Sequence, residues 1–241
     1  MHWGVDGDIL HYSVSFASKN DSINYALRSI RSACENVMYD LNAESVTLYL
    51  TGSDNYRMEV DPDYKGHRKS TEKPAHFSVI KEYMIDTLGA VLVEGEEADD
   101  RMSIGACQYG HGIATLDKDL DGCPGIHYNW KKKEVYWVSP EDANRFFYTQ
   151  MLTGDPTDNI PGLKRRLGKV ATAKIKEPLE YMDTPEEMYA YVRGVYEAAY
   201  DEVGMCLDEK DQVLDDWLLK QGRCLWMRRE EGEMWEFPSG T

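Results

Sequence analysis

Two rhythms alternate along the first 150 residues. Short apolar runs that stop at a glycine or an acid are followed by longer stretches in which apolar residues recur every three or four positions. "WGVDG" reads as a strand ending in Asp6, and "DSINYALRSIRSACENVMYDL" as a helix behind a capping Asp21. "SVTLYLTG" is a strand that stops at Gly52, "FSVIKEYMIDTLG" a helix closed by Gly89, and "AVLVEG" a strand. "EEADDRMSIGACQYG" is a helix with its acids in the first turn, and "GIATLD" is a further strand. "GIHYNWKKKEVYWV" reads as a hairpin with Lys131 to Lys133 near its turn. "SPEDANRFFYTQMLTG" opens a helix with Ser139 as cap and Pro140 at the first helical position. This alternation predicts an α/β fold, a mostly parallel central sheet flanked by helices on both faces. Beyond Gly162 the pattern turns helical: a short basic helix, then "TPEEMYAYVRGVYEAAYDEVG" and "LDEKDQVLDDWLLKQGRCLW". The expected division is an α/β domain over 1–159 and a helical region over 160–241. The closing "RREEGEMWEFPSGT" reads as a small hairpin or a loose tail.

In open parallel sheets, ligands sit beyond the carboxyl ends of the strands. The acids fall there. Asp6 ends the first strand, Asp54 follows the second, Glu97, Asp99 and Asp100 open the helix after the third, and Asp117 and Asp119 follow the fourth. "DKDLDG", from Asp117, begins like a calcium-binding EF-hand loop. Such a loop needs a bidentate Glu at its twelfth position and a helix on each side. Here that position is Tyr128 and the flanks are β-rich. Magnesium fits better, because it binds through few carboxylates and keeps several waters. Two carboxylates ~4 Å apart repel by about 4 kcal/mol at an effective dielectric of ~20. A cluster of them therefore implies cations among them.

Composition narrows the class. The chain is 42% hydrophobic and 29% charged, with no apolar run of membrane-spanning length. Its five cysteines form no C-x-x-C, and its first residues lack signal-peptide character, so a reduced cytoplasmic protein without a membrane partner is expected. The net charge of −16 argues against nucleic acid until its distribution is considered. The residues from Glu177 onward carry −11, whereas Ile160 to Lys176 holds six bases and no acid.

Four pieces occur in order: "VDGD", "DPDYKGHR", "GEEADD", and "TLDKDLDG" followed by "TGDPTDNIPG". The ordered set resembles the 5′-3′ exonuclease and flap endonuclease family, the structure-specific 5′ nucleases, most of all their small stand-alone bacteriophage forms. The resemblance covers about residues 3–176. It implies the 5′-nuclease (PIN-like) fold with a helix–hairpin–helix element. The implied activity is hydrolysis of DNA phosphodiesters at or near 5′ ends, with 5′-flap cleavage open as a second activity and a viral role in DNA replication or in host DNA breakdown. The implied cofactors are two Mg²⁺ or Mn²⁺ ions, and a monovalent cation at the hairpin turn. Carried onto this sequence, the metal-site acids are Asp6, Asp54, Glu97, Asp99, Asp100, Asp117, Asp119, Asp155 and Asp158. Lys65 and Arg68 would meet the scissile phosphate alongside the catalytic Asp117, Tyr64 would stack on a terminal base, and Arg57 would contact a further phosphate. The DNA partner, a duplex with a 5′ end, nick or flap, would be held at Lys164, Arg165, Arg166, Gly168, Lys169 and Lys174.

Other readings stay open at this point: a non-catalytic binder of DNA ends, and a ribonuclease of related acidic-site architecture. Only 26 residues, Lys69 to Glu94, separate Arg68 from "GEEADD", too few for a long helical arch beside the helix predicted there. Open access for the substrate is therefore expected. Asp8 and Asp121 read as acids that support the site from behind or are solvated, Glu96 as an acid favoured by the helix dipole, and the tyrosines of "MYAYVRGVYEAAY" as packing residues.

Overall fold

The computed structural model describes residues 1–66, 72–202 and 207–239. Six strands form one sheet: β1 (His2–Asp6), β2 (Ser45–Thr51), β3 (Val91–Val93), β4 (Gly112–Ala114), β5 (Gly125–Asn129) and β6 (Glu134–Val138). Their order is β3-β2-β1-β4-β5-β6, and every neighbouring pair is parallel except the β5–β6 hairpin. The chain runs outward from β1 through β2 to β3, then returns to the other side of β1 and continues through β4. The carboxyl ends of β1 and β4 thus flank the point where the winding reverses, the place where such sheets form a crevice.

Helices cover both faces. α1 (Gly7–Ala17), α2 (Ile23–Leu41) and α4 (Phe77–Asp86) pack against one another and bury Leu10, Ile30, Ile80 and Met84 with Val5, Leu48 and Leu50 of the strands. On α2 the buried residues are Ala26, Ile30, Cys34 and Val37, the helical spacing that the sequence shows. Its cap is Ser22, whose hydroxyl accepts from the Tyr25 N–H, and not Asp21. On the other face α5 (Ala98–Tyr109) packs against β1, β2 and β4, and Met102, Ala106, Ile113, Leu120 and Cys123 form a smaller core. Gly112 admits the Trp3 ring across it, since a Cβ there would collide with the indole. α1 is absent from the sequence reading. Its glycine start and serine-rich middle are weak helix formers, and what makes it helical is a capping Asp6 carboxylate together with burial of Leu10, His11 and Ser15.

The chain forms two compact units, which differ from the expected 1–159 and 160–241. The first comprises Met1–Tyr56, the described residues of Ser70–Ser139, and Met227–Glu231. The second comprises the described residues of Arg57–Lys69, of Pro140–Trp226 and of Gly232–Thr241. It takes most of the short α3 (Tyr56–Val60), then α6 (Pro140–Thr153), α7 (Gly162–Leu167), α8 (Ala173–Lys176), α9 (Pro185–Glu202) and α10 (Leu207–Leu225). The division moves because α6 buries Phe147, Tyr148, Met151 and Leu152 among side chains of α7, α9 and α10. Tyr189, Tyr196 and Tyr200 of α9 lie in that same core, in the packing role expected of them. Among the described residues, the closing segment forms neither hairpin nor loose tail: Trp235 is buried, laid over Gly222, whose missing Cβ makes room for the ring. Among the described residues no helix is long and apolar enough to cross a membrane, and Cys34, Cys107, Cys123 and Cys224 form no disulfide.

Candidate active site

In the first unit the site begins at the end of β1. Asp6 is 2% exposed. One of its oxygens accepts from the Ile9 N–H at 3.0 Å, and the other from the Thr115 hydroxyl at 2.8 Å. The Thr115 oxygen in turn accepts from the Asp117 N–H at 2.9 Å, so one hydroxyl ties the end of β1 to the segment after β4. Asp117 caps the short 3-10 turn Lys118–Gly122, its carboxylate accepting from the Asp119 N–H at 2.9 Å. Burial lifts the Asp6 pKa from 3.8 to about 7; the negative charges of Asp8 and Asp117 add to that rise, while the bonds from Ile9 and Thr115 oppose it. Asp8 is itself pushed up by burial, and its carboxylate accepts from the Thr51 N–H at 3.0 Å. Of the two roles read for it, it takes the supporting one, linking α1 to the end of β2. Lys81 of α4 donates to the Thr51 carbonyl at 2.6 Å, and the Thr51 hydroxyl accepts from the Ala98 N–H at 3.0 Å. Thr51 thus joins the carboxyl end of β2 to the start of α5.

The start of α5 holds the next acids. Asp100 is fully buried and accepts from the Glu97 N–H and the Arg228 N–H, each at 3.1 Å. Glu97 is buried and Asp99 half-buried. Glu96, read from the sequence as a dipole-favoured acid, is buried too, paired with Arg228 at 3.0 Å and in an ion pair with Arg101. Asp54 is exposed, and its N–H donates at 3.3 Å to Glu94, a residue the sequence did not single out. Arg228 was missed as well, because it lies in a stretch that reads as acidic tail.

The second unit holds Asp155 and Asp158. Gly154 and Gly162 face each other backbone to backbone with φ of 67° and 59°, and a Cβ on either would collide with the other's chain. This clamp closes the loop "DPTDNIP". Asp155 pairs with Ile160 across its neck and accepts from the Thr157 N–H at 2.7 Å. Asp158 accepts from the Tyr64 hydroxyl at 2.8 Å and pairs with the Lys65 ammonium at 3.5 Å. Tyr64 is a core residue, so the expected stacking on a base gives way to a buried ring that anchors Asp158. Arg57 is 1% exposed and donates to the carbonyls of Cys224 and Trp226. Its expected phosphate contact is therefore corrected to a buried backbone clasp. Arg68 lies outside the described residues, as does 67–71, the start of the loop expected to leave access open; 72–76 are not helical.

The basic segment forms α7, a turn with Gly168 at φ 74°, and α8 behind Thr172 in extended conformation. Lys164, Arg165, Arg166 and Lys174 are exposed, and Lys169 is ion-paired with Glu202. Arg165 donates to Asn159 of the clamped loop at 2.8 Å, and Arg166 lies over the Trp217 ring.

Among the described residues no three His, Cys, Asp or Glu side chains are already gathered as a metal cage. The donor set around β1 and β4 nonetheless fits a hard divalent ion. It consists of carboxylate oxygens, and the high pKa of Asp6 marks negative charge that a cation would relieve.

No family model matches the chain. It is 27% identical over 196 residues to the thermostable DNA polymerase I of Thermus caldophilus, across 72% of this chain and 23% of that protein. It is 27% identical over 128 residues to the exodeoxyribonuclease of Enterobacteria phage T3, across 49% of this chain and 42% of that protein. The chain thus spans about a quarter of the polymerase and under half of the phage enzyme. The fold matches the phage T5 D15 protein co-crystallised with metal ions, with TM-score 0.52, 18% identity and coverage of 91% and 98% of the two chains. It also matches the catalytic core of Rad2 in complex with a DNA substrate, with TM-score 0.52, 14% identity and coverage of 99% and 83%. The sequence is thus similar to segments of a DNA polymerase I and of a phage exodeoxyribonuclease, and the fold is the 5′-nuclease fold.

Proposed function

We propose that this protein is a divalent-metal-dependent 5′-3′ exonuclease that hydrolyses DNA phosphodiesters at or near 5′ ends, with water as the nucleophile. The observation that carries the proposal is the Asp6–Asp117 pair, bridged by Thr115 beside Asp8, at the crevice of a 5′-nuclease fold. Asp6 and Asp117 would hold a divalent ion, Mg²⁺ or Mn²⁺, with Asp119 and the acids of α5 completing its surroundings. Asp155 and Asp158 are assigned to a second ion. Bound metal supplies charge neutralisation at the scissile phosphate and a water acidic enough to attack at neutral pH.

The chain's own groups do the rest. Thr115 and the Ile9 N–H fix the carboxylate of Asp6, so it need not reorganise when charge develops. Lys65 is held by Asp158 and by the Tyr64 ring face, 5.0 Å from its ammonium, and offers a fixed positive charge to a phosphate oxygen. The exposed cations of α7 and α8, with the turn at Gly168, hold duplex phosphates without reading sequence. A monovalent ion at that turn belongs to the same proposal, as do flap cleavage and work in a reduced, cytoplasmic setting.

The test is digestion of 5′-labelled blunt, nicked and 5′-flap duplexes with and without Mg²⁺, with RNA and hybrid duplexes alongside. Short labelled products from DNA in Mg²⁺ alone are expected. Equal yields with EDTA, or products from RNA alone, would overturn the reading. A flap blocked at its 5′ end tests access: cleavage as fast as for the unblocked flap is the outcome that an open entry gives.

A further inference from the structure

The segment Met227–Glu231 belongs to the first unit although the chain on both sides of it belongs to the second. Within the first unit it grips the residues from Gly95 to Arg101, which carry three of the proposed site acids. The Arg228 guanidinium lies 3.7 Å above the Tyr56 ring and pairs with Glu96 at 3.0 Å. The Arg228 N–H donates to Asp100 at 3.1 Å. Glu231 pairs with Arg101, which also pairs with Glu96. Tyr56 is fixed to the same loop, because its N–H donates to the Gly95 carbonyl at 3.1 Å. Arg229 reaches the Gly122 carbonyl at 3.4 Å, at the end of the turn that carries Asp119. One five-residue strap therefore touches both acid-bearing segments.

We propose that Arg228 is a positioning residue for the site acids: by holding Glu96 between two arginines and docking on Asp100, it keeps Glu97, Asp99 and Asp100 aimed for metal. The inference rests on the nuclease reading given above. Four carboxylates, Glu96, Glu97, Asp99 and Asp100, crowd one helix start. The helix dipole offsets part of their repulsion, and the two arginines offset more. Without Arg228, the buried Glu96 keeps Arg101 but loses the cation that separates it from its neighbours. Its carboxylate then turns toward solvent or competes for the metal, and drags the adjacent Glu97 with it. A buried charge left without its partner is the costly outcome, whereas removing both partners is mild. The loss should therefore be relieved by neutralising Glu96.

The experiment compares wild type, R228M, E96Q and R228M/E96Q, with Mn²⁺ binding followed by calorimetry and turnover followed in Mg²⁺. Folding is checked by circular dichroism. R228M is expected to weaken Mn²⁺ binding about tenfold and to lower kcat at least as much, with KM for duplex unchanged. R228M/E96Q should recover most of both losses, a non-additivity that a residue holding the fold by packing alone would not produce. Mn²⁺ binding and kcat in R228M equal to wild type, or losses that simply multiply in the double variant, would overturn the proposal. Should R228M fail to fold, R228Q and R228Q/E96Q carry the same comparison, since glutamine also removes the cation beside Glu96 while keeping a polar side chain there. A wild type that binds Mn²⁺ but cuts no DNA refutes the nuclease reading and leaves the calorimetry to judge Arg228. A wild type that binds no Mn²⁺ refutes both.

Discussion

Replacing Asp6 by asparagine should stabilise the metal-free protein, and more so as the pH rises. The folded protein lifts the pKa of Asp6 from 3.8 to about 7, chiefly by burial. That rise corresponds to about 4 kcal/mol against the charged form. The folded state binds this proton more tightly than the unfolded chain does. The stability Asp6 contributes is thus complete below pH 3.8 and is lost as the pH climbs through about 7. At pH 5 roughly 1.5 kcal/mol is already gone, and at pH 8 about 4 kcal/mol. Asp6→Asn is neutral throughout. The amide keeps one acceptor where the carboxylate has two, for Ile9 and Thr115, and losing that bond costs about 1 kcal/mol at both pH values. The advantage of the variant over wild type should therefore grow by about 2–3 kcal/mol from pH 5 to pH 8. Urea unfolding in EDTA at the two pH values measures it. Mg²⁺ at about 1,000 times its Kd and pH 8 should then reverse the order, because it stabilises wild type by about 4.1 kcal/mol, more than the variant's advantage of about 3 kcal/mol, and has lost its ligand in the variant. A gap of the same size at pH 5 and pH 8 would refute the reasoning, since it would mean that Asp6 is not held against ionisation.

Other outcomes follow from the same geometry. Asp117→Asn should lower turnover by two orders of magnitude or more, about 3 kcal/mol of transition-state stabilisation, with duplex affinity in EDTA unchanged; single-turnover kinetics and fluorescence anisotropy check the two halves. Lys164→Ala should weaken duplex binding evenly across sequences and lower the salt slope by about one, as read from anisotropy titrations between ~50 and ~200 mM salt. Gly162→Ala meets the Gly154 backbone at a φ of 59° and should cost about 3 kcal/mol or more in urea unfolding. Tyr64→Phe removes the hydroxyl that donates to Asp158 and should cost about 1–2 kcal/mol, with a weaker response of turnover to the second Mg²⁺.

Much was legible in the amino-acid order, because local chemistry sets it. The alternation of short apolar runs with helical spacing predicted all six strands and the helices α2, α4 and α5 around them. Asp6, Asp117 and the start of α5 could be placed at strand ends because a strand of known direction fixes where its last residue lies. Pro140 and Gly168 marked an element boundary and a turn for reasons confined to their own backbones. Other features depended on partners far away in the chain. α1 forms because its residues are buried, against their weak propensity. Arg57 and Tyr64 sit in a motif that suggests DNA, yet a side chain's exposure is decided by what packs over it, and here helix ends and a core cover both. Arg228 shows no signal in its own stretch, since its partners, Glu96 and Asp100, precede it by 132 and 128 residues. The sequence by itself determined which elements form and which acids end the strands. Only the tertiary structure decided which charges are buried and paired, because burial and pairing arise between segments whose separation along the chain carries no record of their meeting.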